Sequence, residues 1–252
     1  MDITAKAWQD FIRKLRTVNE AAAAKILDYL KTHPIQAYED RQRLIEYAYL
    51  TAQKYGEGAA ALACRMYDEI AAASKVAVPA AVPAAGPSVG EVAKTINGTL
   101  KSGNASIVSE AIGRLVKQTG VDTTMKNALR DGAEWAWIPS GDTCAFCLTL
   151  ASRGWQRASR AAIKNGHAEH IHANCDCTYC VRFDKKTNVA GYRPEEYLAM
   201  YESAEGSTPD EKINAMRREI YAKNAEEINA QKRSNYEKRR ERESSAAEEL
   251  IV

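Results

Sequence analysis

"GDTCAFCLTLASRGWQRASRAAIKNGHAEHIHANCDCTYC", residues 141–180, holds five of the chain's six cysteines and three of its four histidines. It reads as Cys144-x2-Cys147, a loop of 24 residues, then His172-x2-Cys175-x-Cys177. Two ligand clusters separated by a loop suit Zn2+, which takes four nitrogen or sulfur ligands in a tetrahedron. The loop has few bulky apolar residues, so the free energy of metal binding would serve as folding energy for this segment. The candidates outnumber four positions: Cys144 and Cys147 form one pair, while His172, Cys175 and Cys177 compete for the rest. Cys180 and His170 stand outside the set. Reduced thiols without metal and a redox-active Cys-x-x-Cys remain open, although the second lacks a βαβ context.

Immediately before the cluster, Glu134-Trp135-Ala136-Trp137-Ile138-Pro139 alternates with period two, placing both tryptophans on one face of a short strand that Pro139 ends. Val181-Arg182-Phe183, just after Cys180, is its expected partner. The cysteine segment is therefore read as an insertion within a small sheet.

Further out, helical spacing dominates. Trp8, Phe11, Ile12, Leu15 and Val18 mark an amphipathic helix, and Ile26, Leu27 and Leu30 a second, short one stopped by Thr32-His33-Pro34. Two more are expected, from residue 37 to about 55 and from 58 to about 73, separated at Gly56 and Gly58. Residues 1–75 are thus read as a helical bundle. VAVPAAVPAAGPSVG, residues 76–90, carries three of the seven prolines and reads as an extended, semi-rigid spacer. Beyond it, Val108, Ala111, Ile112 and Leu115 mark a helix ending near Gly120, with a short one to follow over 121–130.

Residues 193–200 read as helical. Thr208-Pro209-Asp210-Glu211 has the form of a capped helix start, with Pro at the first position and Glu211 closing a capping box. The helix it opens is expected to run to about Glu243, its surface increasingly charged. The predicted fold is mainly α: a helical N-terminal region over 1–75, an Ala/Pro linker over 76–90, a small α+β zinc-knuckle domain within 91–205, and a long charged C-terminal helix within 206–252.

The formal charge is +2, with 35 basic against 33 acidic residues, so the net field gives little steering toward nucleic acid or a membrane surface. No stretch approaches the roughly 20 apolar residues of a membrane span, and the first residues lack a signal-peptide core. Synthesis and folding in a reducing cytoplasm are expected, and no membrane partner. His167-x-Glu169 and Cys177-x2-Cys180 match parts of a zinc deaminase signature, but too few residues separate them for the crossover such a site needs. No Walker A, G-x-S-x-G, H-E-x-x-H or G-x-G-x-x-G motif occurs. No catalytic residue is assigned.

Three stretches resemble the MuF-like minor capsid (head morphogenesis) proteins of tailed phages that infect Gram-positive, notably actinobacterial, hosts. They are Gly141-Asp142-Thr143-Cys144-Ala145-Phe146-Cys147, Ala151-Ser152-Arg153-Gly154, and His172-Ala173-Asn174-Cys175-Asp176-Cys177-Thr178. The segment from Tyr55 through Asp68, and Gly191-Tyr192 with Glu196, Tyr197 and Tyr201, add to the likeness. The resemblance implies a low-copy virion component, assembled in the host cytoplasm near the portal or inside the head. It implies portal and major capsid protein as partners, packaged DNA as a further contact, and a zinc knuckle built from Cys144, Cys147, His172, Cys175 and Cys177.

A second reading is a zinc-containing nucleic-acid-binding protein acting on the phage genome. Its support is the run Lys232-Arg233 and Lys238-Arg239-Arg240 around Tyr236, weakened by the interleaved Glu237, Glu241 and Glu243. Binding through such residues falls steeply with salt.

Overall fold

A computed structural model of the chain describes residues 2–140, 143–159, 176–227, 229–230 and 233–234. It is mainly helical with a small sheet.

The first helix, α1 (Ala5–Thr32), is capped by Thr4, whose hydroxyl accepts from the Ala7 amide at 3.2 Å. It buries Trp8, Phe11, Ile12, Leu15, Ala22 and Ile26. Sequence periodicity suggests two helices here; the structure joins them. The run of four alanines between them carries no large apolar marker, yet alanine is the strongest helix former, so the helix continues until Pro34 forbids it.

The next helix, α2 (Tyr38–Ala73), is likewise continuous, so the expected break at Gly56 and Gly58 is corrected. Gly56 is buried against α4 (Ala105–Asp131), where a Cβ would lie 3.1 Å from the Thr119 hydroxyl. The residue serves close helix approach, not chain termination. Gly120 repeats the lesson: α4 runs through it, and a Cβ there would sit 3.3 Å from the Ala59 carbonyl oxygen. Helices α1, α2 and α4 all pack on one another.

Residues 76–88 carry no regular element and are extended, as their composition requires, but they lie against α2 and α4 through hydrogen bonds. They lead into α3 (Val89–Thr99), which periodicity does not reveal and which a capping box between Ser88 and Glu91 starts. A single 3-10 turn, Leu100–Ser102, and Gly103 at φ 64 then turn the chain into α4.

After Gly132 ends α4 at φ 65, β2 (Glu134–Ile138) forms the centre of a three-stranded antiparallel sheet. Its neighbours are β3 (Gln156–Arg157) and β4 (Thr178–Arg182). The pairing of the tryptophan strand with the chain after the cysteine segment is as expected, with β4 starting three residues earlier than the periodicity indicates. Alternation puts Trp135, Trp137 and Tyr179 on one face and the register partners Ala136 and Cys180 on the other. All five are buried. A parallel pair, β1 (Asp2–Ile3) with β5 (Asn188–Val189), joins the start of the chain to this region.

Between β2 and β3 lies α5 (Ala145–Ala151). With α6 (Pro194–Ser203) and α7 (Pro209–Lys223) it builds a second, small core around Leu148, Ala204, Ala215 and Met216. The capping box at Thr208 and Glu211 is present. Helix α7 ends at Lys223, helical backbone resumes over 225–227, and the expected continuation beyond residue 234 to Glu243 lies outside the described residues.

Candidate metal centre

The geometry of the cysteine segment follows from the sheet. In register, Ile138 faces Thr178, so the chain leaving β2 and the chain entering β4 lie side by side. Ser140 and Cys177 are thereby brought together: the Ser140 amide donates to the Cys177 sulfur at 3.4 Å, and the Thr143 hydroxyl lies 3.9 Å from the same atom. Thr143 precedes Cys144, so the first half of the motif is delivered to the second.

Cys144 is the N-cap residue of α5, and Cys147 follows in its first turn. Residues three apart share a helix face. Cys147 and Cys177 are fully buried, and Cys144 is half-buried. Cys144, Cys147 and Cys177 thus supply three sulfur atoms near one end of the sheet, and thiolates with imidazole are the donor set that zinc prefers.

His172 and Cys175 lie outside the described residues, as do His167, Glu169 and His170. Among the described residues no three Cys, His, Asp or Glu side chains gather in a metal-binding group. Cys180 differs from Cys177 in kind: it lies in the middle of β4, 1% exposed, its thiol donates to the Val181 carbonyl oxygen at 3.6 Å, and burial pushes its ionisation far up.

Two positions that matter to this geometry carry no metal-site signature in the sequence. Asp176, between Cys175 and Cys177, pairs with Arg16 of α1; its Oδ1 accepts from the Arg16 Nε at 3.1 Å, and its Oδ2 is held by the second guanidinium nitrogen. Ser140 contributes a backbone amide, which no residue type announces. Beside them Tyr179 stands edge-on to Trp135 and Trp137, at 4.6 and 4.7 Å between ring centroids. Burial disfavours ionisation of its phenol, an effect opposed by Arg153 and reinforced by Cys147 of α5. Among the described residues, no helix is long and apolar enough to cross a membrane.

In comparison with known proteins, the sequence model of one family, described as VG15 protein, matches residues 2–204. That span takes in every element from β1 through α6. No curated protein and no solved structure matches the chain.

Proposed function

Since the chain belongs to the VG15 protein family, a phage-type viral family, we propose that it is a minor capsid (head morphogenesis) protein of the MuF-like kind. In this reading it is a low-copy virion component held near the portal or in the capsid interior. Its partners are the portal protein and the major capsid protein, and it assembles in the host cytoplasm. A zinc ion, drawn from Cys144, Cys147, His172, Cys175 and Cys177, closes residues 141–180 into a knuckle. The role is architectural, with no catalytic step.

The observation that carries the metal part is the approach of Ser140 and Thr143 to the Cys177 sulfur, which brings the two halves of the motif to one end of the sheet. Between residues 144 and 177 the chain runs through α5, β3 and a segment outside the described residues, and a metal held at both ends would add its binding energy to the closure that the sheet already provides. The virion part is supported by the family and by the resemblance of the motif. The alternative, binding of the phage genome, draws on Lys232 and the run 238–240, which lie outside the described residues.

The test is in two parts. Elemental analysis and zinc-edge X-ray absorption on chain purified without chelator should find one zinc with only sulfur and nitrogen neighbours, lost in Cys147→Ser. Co-expression with portal and major capsid protein, followed by particle purification, should retain the chain in heads. Absence of metal sinks the knuckle; absence from particles, together with salt-sensitive DNA binding, favours the alternative.

A further inference from the structure

Residues 77–87, Ala-Val-Pro-Ala-Ala-Val-Pro-Ala-Ala-Gly-Pro, contain no polar side chain, so the segment can be recognised only through its backbone and its shape. It is recognised at many points. Asp68 accepts the Ala81 amide at 2.8 Å, Asn127 accepts the Val82 amide at 2.9 Å and donates back to the Val82 carbonyl at 2.9 Å, and Thr123 accepts the Ala84 amide at 3.0 Å. Arg130 donates to the carbonyls of Pro79 and Ala80 at 2.7 and 3.0 Å, Lys126 to Pro83 at 3.3 Å, and Gln53 to Pro87 at 2.7 Å. Every one of these groups is a side chain of α2 or α4.

The reciprocal pair between Asn127 and Val82 imitates the exchange between neighbouring strands, a device for reading an extended peptide of little side-chain content. Packing contributes less. Of these residues only Pro87 is buried, and Val82 is 48% exposed. Between the segment and the Ala60, Ala61 and Cys64 stretch of α2 runs a solvent-open groove of about 560 Å³. Prolines at 79, 83 and 87 hold the chain extended before it binds, which lowers the entropy lost on docking.

We propose that the face formed by α2 and α4 is a receptor for an extended, proline-punctuated polypeptide with small side chains. Residues 77–87 fill it in cis, and a partner segment of the same chemistry takes their place when they are released. The receptor residues are Asp68, Thr123, Asn127 and Arg130; the ligand is a backbone offering amides and carbonyls at this spacing. The proposal is independent of any metal at the cysteine segment.

The experiment uses the full chain with residues 77–87 replaced by a Gly/Ser segment of equal length, and a labelled peptide VAVPAAVPAAGPS, the chain's residues 76–88, as probe. Fluorescence anisotropy should show saturable binding to the replaced chain. Binding should be at least tenfold weaker to the unaltered chain, where the cis segment competes, and at least tenfold weaker when Asn127→Ala is added to the replacement. No saturable binding to a replaced chain of normal helix content, or binding indifferent to Asn127→Ala, overturns the proposal. Should the replaced chain fail to fold, hydrogen exchange on the unaltered chain decides. Exchange of the Ala81, Val82 and Ala84 amides while α2 and α4 stay protected supports a releasable segment. Exchange only together with α2 and α4 makes it part of the core and overturns the proposal.

Discussion

Arg16 and Asp176 form a two-point ion pair: one guanidinium, on the first helix, holds both oxygens of the carboxylate that separates Cys175 from Cys177. The partners are 160 residues apart in sequence. Asp176 is largely covered, with its side chain 17% exposed, whereas Arg16 remains 53% exposed. The pair ties the chain just before β4 to the helical bundle.

Arg16→Gln should therefore loosen the second half of the cysteine motif without disturbing α1. Solvent screening on the arginine side keeps the expected loss near or below about 1 kcal/mol. Denaturant titration measures that loss. In zinc-loaded protein the variant should also release metal to a chelator several times faster than the parent. Unchanged release and unchanged stability would remove this contact from the account of the site.

Two glycine substitutions should act in opposite directions. Gly120→Val places new carbon against the Ala59 backbone, only 3.3 Å from the position of a Cβ, and should cost about 1–3 kcal/mol. Gly98, within α3, has nothing within 4 Å of an added Cβ. Gly98→Ala should then stabilise by about 0.5–1 kcal/mol through helix propensity and a stiffer unfolded chain. Thermal melts of the two variants compare them directly.

Two aspartates of α4 predict opposite pH behaviour. The Arg130 guanidinium beside Asp131 holds its carboxyl below the ordinary 3.8, and the Tyr67 hydroxyl adds a bond of 2.8 Å. A lowered folded value means stability present above pH 3.8 and lost as pH falls through the folded value. Burial pushes Asp122 the other way, above 3.8, against a 2.7 Å bond from Gln118. Its charged form is disfavoured in the folded chain, so Asp122 weakens the fold at neutral pH and ceases to do so once protonated. At pH 7 Asp131→Asn should destabilise and Asp122→Asn should stabilise, with both differences shrinking toward pH 3. Urea midpoints across this range test the signs.

Two tyrosine hydroxyls should differ in worth. The Tyr192 hydroxyl donates to the Ala151 carbonyl at 2.7 Å, and Tyr192→Phe should cost about 1 kcal/mol. The buried Tyr179 hydroxyl finds no partner among the described residues, so Tyr179→Phe should be neutral or slightly stabilising. Paired denaturation curves settle the order, and a larger loss at Tyr179 would show that its hydroxyl has work to do.

Much of the fold is legible in the sequence because local signals agree with it. The stripe from Trp8 to Leu15, the Thr208 capping box and the alternation of Trp135 and Trp137 each name their element correctly. What sequence reading misplaces are helix breaks. Gly56, Gly58 and Gly120 look like punctuation, yet Gly56 and Gly120 permit close contact between helices, a property of the neighbour that the local sequence does not carry. Helix α3 escapes notice because in its eleven residues only Val92 and Ile96 are buried, too few to establish a period.

The candidate site is legible to a different depth. Cys144, Cys147 and Cys177 announce themselves by spacing. Ser140 and Arg16 do not: one acts through its backbone amide, the other across 160 residues of chain. The segment 76–88 is extended as its prolines require, but its hold on Asn127 and Thr123 depends on tertiary placement.

The parallel pairing of β1 with β5 sets a schedule for synthesis. Ile3 faces Val189, and its carbonyl receives the Ala190 amide at 3.0 Å. A ribosome that has released residues 2 and 3 must still make the chain through residue 190 before that strand finds its neighbour, a wait of about ten seconds or longer at ordinary elongation rates of about 5–20 residues per second. Helices α1, α2 and α4 emerge earlier and can associate in the meantime. This pairing thus joins the start of the chain to a segment made only after the three bundle helices, and nascent chains stalled before residue 188 should carry their first strand unpaired.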